Sequence, residues 1–202
     1  MLLNGVEKVL MNNPVRAAIQ RHYEGPLLER LGGKVPGARV LEIGCGRGVG
    51  TEIILQRFAA ARVDAFDLDP NMVALARRRL EPFGERVSVQ VGDAEAIPAA
   101  PAIYDAVFDF GIVHHVPDWR RAVAEVARVL RPGGRFFFEE VTRHALRRWS
   151  ARHFLEHPLG DRFMGDEFVR ALGYEGLRVE DRWVERVFGD FVIGVAERVR
   201  PD

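Results

Sequence analysis

The hydrophobic and polar positions of the chain predict short strands that alternate with amphipathic helices. Five apolar runs have the length of a strand, and each is bounded by glycine, proline or charged residues. Strands that alternate with helices predict a parallel sheet with helices on both faces. The predicted strands are Arg39–Ile43, Arg62–Phe66, Val87–Val91, Tyr104–Phe110 and Arg135–Glu140.

Helical spacing occupies most of the intervals between these strands. Residues 5–31 predict a helical region that is broken near Pro14, and Val49–Phe58 predicts the first helix inside the alternation. Asp69 is a suitable N-cap for a helix over Pro70–Leu80, and Asp118 caps a helix that runs to about residue 130.

The end of the chain departs from the alternation. Residues 142–173 predict mostly helix, and Leu177–Val184 and Asp190–Arg198 predict two antiparallel strands joined by a short turn. We therefore expect a single domain over residues 1–202, with a helical cap (1–38), a core (39–140), a helical insertion (141–173) and a hairpin (174–202).

Composition and charge narrow the class of protein. The 202 residues are 48% hydrophobic and 29% charged, and the 29 basic side chains balance the 29 acidic ones. A net charge of zero gives no electrostatic argument for nucleic acid as a partner. Cys45 is the only cysteine, and no apolar run approaches a membrane span. We expect a cytoplasmic protein, monomeric or homodimeric, without an integral membrane segment.

A glycine-rich turn follows the first predicted strand. It reads E-x-G-x-G-x-G, with Glu42 two residues before Gly44. The dinucleotide fingerprint G-x-G-x-x-G fails because Val49 occupies the position of its third glycine, and no Gly-Lys-Ser/Thr of a phosphate loop is present. A carboxylate at this position would repel a pyrophosphate, whereas it suits a ligand that carries an ammonium group.

Four stretches together resemble the class I S-adenosylmethionine-dependent methyltransferases. They are "EIGCGRG" (42–48), "AFDLDPNMV" (65–73), "VQVGDAEAIP" (89–98) and "YDAVFDFGIVHHVPDWRRAVAEVARVLRPGGRFFFEE" (104–140). The resemblance implies an α/β fold: a Rossmann-like, doubly wound sheet of seven strands, mostly parallel, with a C-terminal antiparallel hairpin. It also implies S-adenosylmethionine as the donor and S-adenosylhomocysteine as the product.

The same resemblance assigns the residues that hold the donor. Asp67 takes the position of the acid that binds the ribose hydroxyls, and Asp93 that of the acid that contacts the adenine amino group. Asp67 also lies at the spacing expected of a diol-binding carboxylate one βαβ unit after the glycine turn. The predicted cofactor-binding residues are Tyr23, Glu42, Gly44, Cys45, Gly46, Gly48, Asp67, Leu68, Met72, Asp93, Ala94 and Phe110.

Two histidines are the candidate catalytic residues. His114 and His115 follow the fourth strand, where the methyl group should face its acceptor, and either imidazole could accept a proton. The alternative is that both only shape the pocket. We predict no metal: "HFLEH" (153–157) matches a short zinc pattern, but no third ligand accompanies it.

The sequence identifies the donor more clearly than the acceptor. The acceptor should lie under residues 1–31 and 142–173, where Tyr23, Phe163 and Phe168 suggest a small, partly apolar molecule. Arg16 or Arg21 could close over the donor together with Tyr23. Two other functions stay open: a protein that binds S-adenosylmethionine without catalysis, and a nucleotide-dependent oxidoreductase.

Overall fold

The computed structural model describes residues 13–146 and 162–200. Within this part of the chain one mixed sheet has the strand order β3-β2-β1-β4-β5-β8, with β6 and β7 both paired to the outer side of β8. Strands β1 to β5 are parallel, and β8 is antiparallel to β5. The strands are β1 Arg39–Ile43, β2 Arg62–Asp67, β3 Val87–Val91, β4 Tyr104–Phe110, β5 Leu130–Val141, β6 Leu177–Arg178, β7 Trp183–Arg186 and β8 Phe191–Arg198.

The predicted fold class is confirmed. Within the described residues the sheet is seven strands wide, because the two short strands β6 and β7 both occupy the outermost position, beside β8. The predicted strand Leu177–Val184 is divided because Glu180 has a left-handed backbone, with a φ of 58°, which turns the chain away from β8.

The helices cover both faces of the sheet. The helices that alternate with the parallel strands begin at the predicted residues. Asn13, Asp69 and Asp118 each cap a helix by accepting a backbone N–H. The helices are α1 Pro14–Ile19, α2 Gly25–Gly32, α3 Val49–Gln56, α4 Pro70–Leu80, α5 Trp119–Val129, α6 Arg143–Leu146 and α7 Gly165–Tyr174. Short 3₁₀ segments occupy Glu81–Arg86 and Val113–His115.

A wide helical turn joins α1 to α2. Residues Gln20–Glu24 form a π-helical segment in which the Gly25 N–H donates to the carbonyl of Gln20. Such turns are frequent at functional sites. Here the turn buries Glu24, which is 4% exposed.

Strand β5 begins earlier than predicted. Leu130 pairs with Tyr104 and Arg135 pairs with Ala106, so residues 131–134 bulge out of the ladder. The bulge contains the Arg-Pro-Gly-Gly sequence, and Gly133 takes a φ of 77° there. The predicted turn is therefore present, but it lies inside the strand.

Two hydrophobic layers enclose the sheet. On one face Phe58 and Phe137 pack around Phe108, with the rings of Phe108 and Phe137 stacked at 4.3 Å. On the other face Phe163 and Phe168 pack against Trp119. Because β1 has β2 on one side and β4 on the other, the connections diverge at its carboxyl end and open a crevice there.

Candidate cofactor and methyl-transfer site

The glycine turn between β1 and α3 packs closely against Ile112 and is bonded to β2. Gly44 has a φ of 66°, and a Cβ at this position would lie 2.7 Å from the Cβ of Ile112. The turn is held in place by the Cys45 N–H, which donates to the carbonyl of Phe66 on β2 at 2.9 Å. A side chain at Gly44 is thus excluded both by backbone conformation and by space.

Glu42 is a buried carboxyl group at the end of β1. It is 2% exposed and accepts a hydrogen bond from the Thr51 hydroxyl. Its pKa is raised to about 8, chiefly by burial; the bond from Thr51 opposes the rise, and the charges of Asp67 and Asp109 add to it. A cation placed beside this group would be stabilised by its ionised form.

The pKa of Glu42 predicts that Glu42→Gln flattens the dependence of stability on pH. The folded-state pKa of about 8 lies above the ordinary value of 4.5, so the unfolded chain loses this proton first and the folded protein loses stability as the pH rises from about 4.5 to about 8. Without ligand, we expect the variant and the wild type to be equally stable at pH 4.5. At pH 8 the variant should be more stable by on the order of 2–4 kcal/mol, measured by urea unfolding. Equal stability of the two proteins at both pH values would contradict this burial cost.

Asp67 connects the ends of β1 and β2. Its carboxylate accepts the N–H of Gly46 at 2.8 Å and the N–H of Asp69 at 2.9 Å. These bonds fix the carboxylate at the rim of the crevice, where each oxygen has a second lone pair for another donor. Asp93 follows β3 and accepts the N–H of Glu95 at 2.9 Å, so it stands at the end of the next strand.

One cavity of about 700 Å³ brings most of the predicted residues together. This volume is typical of a small-molecule site. Ten of the twelve predicted cofactor-binding residues line the cavity: Glu42, Gly44, Cys45, Gly46, Asp67, Leu68, Met72, Asp93, Ala94 and Phe110.

Two predicted residues lie outside this lining. Gly48 faces α4, where a Cβ would lie 2.9 Å from the Leu80 side chain, so its glycine serves close helix packing. Tyr23 is 48% exposed, and the neighbouring Arg21 and His22 line the cavity instead. The π-helical segment sets which of these successive side chains faces inwards.

Arg16 of α1 ties the N-terminal helices to the ends of β4 and β5. It pairs with Glu24, donates to Glu139 at 2.8 Å and donates to the carbonyl of Phe110 at 3.3 Å. Burial and the charge of Glu139 raise the pKa of Glu24 to about 8, and Arg16 opposes this rise. Arg16 also lines the cavity, so the predicted closure by an arginine is consistent with its position.

The two histidines have different surroundings. His114 is 2% exposed, and its Nδ1 lies 2.6 Å from the Glu140 carboxylate. His115 lines the cavity, and its ring centroid is 4.1 Å from that of His114. Of the pair, only His115 therefore reaches the predicted methyl-transfer region.

Sequence reasoning missed the buried acids around these residues. Asp109, Glu139 and Glu140 are all 1% exposed or less, and Glu24 approaches Glu139 from the helical cap. The available signal was the occurrence of charged residues inside strands that are otherwise fully apolar, as in "FFFEE" (136–140).

Some predictions fall on other parts of the molecule. The "HFLEH" stretch (153–157) lies outside the described residues. Phe163 and Phe168, expected near the acceptor, belong to the core beneath Trp119. Burial raises the pKa of the Cys45 thiol well above its ordinary value, as expected of a packing residue.

The described residues, 13–146 and 162–200, contain neither a metal-binding cluster nor a membrane-spanning helix. No group of three or more His, Cys, Asp or Glu side chains in these ranges is arranged to hold a metal ion. Across the same ranges, each helix is too short or too polar to cross a bilayer.

Comparison with known proteins identifies the family. Residues 41–138 match the family described as "Methyltransferase domain". A fatty-acid O-methyltransferase of Mycolicibacterium smegmatis is 32% identical over 168 residues, which cover 83% of this chain and 57% of the relative. The chain thus spans little more than half the length of this relative.

Solved structures agree with the observed fold. An S-adenosylmethionine-dependent methyltransferase from Aquifex aeolicus has a TM-score of 0.72 at 21% identity, over 97% of this chain and 99% of that one. Geranyl diphosphate C-methyltransferase from Streptomyces coelicolor, in complex with S-adenosyl-L-homocysteine, has a TM-score of 0.71 at 19% identity, over 87% and 75%. Residues 41–138 thus belong to the methyltransferase domain family, and the chain is similar in fold to S-adenosylmethionine-dependent methyltransferases.

Proposed function

We propose that the protein transfers a methyl group from S-adenosylmethionine to a small, partly apolar molecule. The observation that carries this proposal is the cavity at the carboxyl ends of the strands. It places the glycine turn, a buried acid (Glu42), a rim acid (Asp67) and an imidazole (His115) around one space. Family membership supports the same reaction.

The residues present fit the donor. Glu42 is a buried carboxyl group whose pKa is raised chiefly by burial, and the ammonium of the donor would favour its ionised form. Gly44 lines the cavity, and its contact with Ile112 leaves no space for a side chain. Asp67 would hold the ribose hydroxyls, Asp93 the adenine amino group, and Leu68 and Met72 the apolar faces of the adenine.

The protein contributes position more than covalent chemistry. The donor supplies a methyl group that is already activated by its sulfonium. Alignment of donor and acceptor in one cavity can lower the barrier by up to about 7–11 kcal/mol. His115 is the cavity-lining group that would accept a proton if the acceptor atom still carries one.

We further propose that the acceptor is an apolar molecule with a hydroxyl or carboxyl oxygen. The relative from Mycolicibacterium smegmatis is named for O-methylation of fatty acids. In this chain Arg16 is paired with Glu24 and Glu139, and Arg21 and Arg79 share Glu52, so ion pairs already engage these three cations of the lining. The residues around the acceptor therefore have to recognise it largely by its apolar body.

An acceptor panel tests this function. We expect purified protein with S-adenosylmethionine to form S-adenosylhomocysteine and a methylated product when it is given long-chain fatty acids or alkylphenols. Both products would be measured by mass spectrometry, with a reaction lacking acceptor as the control. Tight binding of the donor without turnover on any acceptor would favour the non-catalytic alternative. Uptake of a nicotinamide nucleotide in place of the donor would favour an oxidoreductase.

A further inference from the structure

Large apolar side chains are exposed along the edge of the sheet where the cavity lies. Strands β1 to β5 all end at this edge, because they are parallel. Five of the exposed apolar side chains stand on the helical cap and in the turn between β7 and β8, and we call them the apolar rim. The apolar rim consists of Val15, Ile19 and Tyr23 on the cap and of Val187 and Phe188 in the turn, with exposed fractions from 43% to 96%.

The cap half of the apolar rim lies on the outer side of a helix that covers the cavity. Val15 and Ile19 are four residues apart on α1, and Tyr23 follows four residues later in the π-helical segment. Arg16 and Arg21 of the same stretch line the cavity. The cap is thus inverted relative to an ordinary surface helix, because its cations line the inside and its apolar side chains are exposed. An apolar outer side is typical of a helix that lies against lipid.

The turn half of the apolar rim stands at the same edge of the sheet. Phe191 at the start of β8 pairs with Val141, the last residue of β5, and the turn lies directly before Phe191. Strand β8 is two positions from β4, whose last residue, Phe110, lines the cavity. With neighbouring strands about 4.8 Å apart, the turn stands roughly 10 Å along the edge from the cavity.

The turn exposes its apolar side chains at a conformational cost. Val187 and Phe188 have φ values of 53° and 57°, and Phe188 is 96% exposed. Left-handed backbone is unfavourable for a β-branched or aromatic residue, and hairpin turns ordinarily place Asn and Gly there. Almost the whole of Phe188 is exposed, so contacts with the described residues do not offset the cost. Strain of this kind is common where a segment has a function.

We propose that the apolar rim inserts into the surface of a lipid bilayer and turns the cavity towards it. A fluid surface accepts side chains from two separate elements, whereas a protein partner has to match their shape. Tyr23 suits the headgroup level and Phe188 the acyl boundary. The docking itself does not depend on methyl transfer, but its use, the delivery of an apolar acceptor from the bilayer to the cavity, rests on the proposed function.

The charges beside the apolar rim favour insertion over electrostatic attraction. His22 and Arg186 adjoin the rim, Glu185 precedes Arg186, and the net charge of the chain is zero. His144 lies beside the turn and pairs with Asp190 at 2.8 Å. With both signs present, attraction to anionic headgroups contributes little. We therefore expect binding to neutral phosphatidylcholine, with a weak dependence on salt.

Flotation with phosphatidylcholine vesicles tests the docking. We expect the wild type to float with the vesicles, and Phe188→Ser and Ile19→Ser each to weaken its partition by roughly five- to thirtyfold. Tyr174→Ser is the matched control and should leave the partition unchanged. Tyr174 is 86% exposed but precedes β6, which pairs with the end of β8 at the opposite edge of the sheet.

Several flotation results would overturn the proposal. One is a wild type that stays unbound at millimolar lipid, and another is a Phe188→Ser protein that floats as well as the wild type. A third is binding that requires anionic lipid and is abolished by high salt, because the apolar rim would then not be its cause.

Two measurements without vesicles address other partners for the apolar rim. Sedimentation of the free protein should give the same oligomeric state for the wild type and for Phe188→Ser. A dimer that this substitution dissociates would assign the rim to a second copy of the chain and overturn the proposal. The melting temperatures of the two proteins should also agree, since a large fall in the variant would show that Phe188 packs within the chain.

A comparison of two acceptors separates this inference from the proposed function. Phe188 does not line the cavity, so Phe188→Ser should bind the donor and methylate a short-chain acceptor in water as the wild type does. Its turnover of a long-chain fatty acid held in vesicles should fall, and equal turnover would overturn the delivery. A wild type that floats but binds no donor overturns the proposed function and leaves the docking intact. A wild type that methylates the short acceptor but does not float overturns the docking alone.

Discussion

Asp67→Asn should weaken the binding of S-adenosylmethionine by about 1.5–3 kcal/mol, which is roughly tenfold to more than a hundredfold in Kd. The substitution removes the negative charge that would accept two hydroxyls of the ribose, and it replaces one acceptor oxygen by a donor. It also disturbs the bonds by which the carboxylate holds the Gly46 and Asp69 amides. Calorimetry with the donor measures the effect.

Asp64→Asn is the matched control for this substitution. Asp64 stands on the same strand but pairs with Arg39 at 2.7 Å and accepts from the Tyr104 hydroxyl at 3.1 Å, away from the cavity lining. We expect it to lower the melting temperature without changing the affinity for the donor. An affinity of the Asp67→Asn protein within twofold of the wild type would remove Asp67 from the site.

Gly44→Ala should abolish measurable donor binding and lower the free energy of unfolding by about 2–4 kcal/mol. A left-handed alanine costs about 1 kcal/mol, and the added methyl group overpacks the contact with Ile112 by about 1–3 kcal/mol. Because Ile112 lines the cavity, its displacement also changes the shape of the site. Urea unfolding and calorimetry measure the two effects.

Gly37→Ala separates the backbone cost from the steric one. Gly37 has a φ of 73°, close to the 66° of Gly44, but a Cβ there would meet no atom within 4 Å. We expect this control to lose about 1 kcal/mol of stability and to bind the donor normally. If both variants behaved alike, close packing against Ile112 would not be what requires glycine at position 44.

The sequence was sufficient to predict the parallel core because its signals are local. Apolar runs, Asp69 and Asp118 as caps, and the acid-glycine turn each depend on neighbouring residues, and the observed β1, β3, β4 and α4 have the predicted bounds. The order of the acids Glu42, Asp67 and Asp93 along successive strands likewise follows from the alternation.

The groups that sequence reasoning missed depend on contacts between distant residues. Arg16 meets Glu139 across 123 positions, and His114 meets Glu140 across 26. Neither pairing has a periodic or local pattern, since each is created by the strand order β4-β5 and by the packing of the cap. Tyr23 lies outside the cavity lining for a related reason, because the chain forms a wider turn where the sequence predicts a regular helix.

Because of this π-helical segment, the orientation of the first helix depends on the number of residues in the segment and not on which residues they are. A π-helical segment is equivalent to one residue added to an α-helix, and each residue rotates a helix by about 100°. Helix α1 is therefore turned by this amount relative to an unbroken helix continued from α2. Relatives that differ by a single deletion within residues 20–24 would present a different face of the first helix to the ligand, even with every side chain of α1 retained.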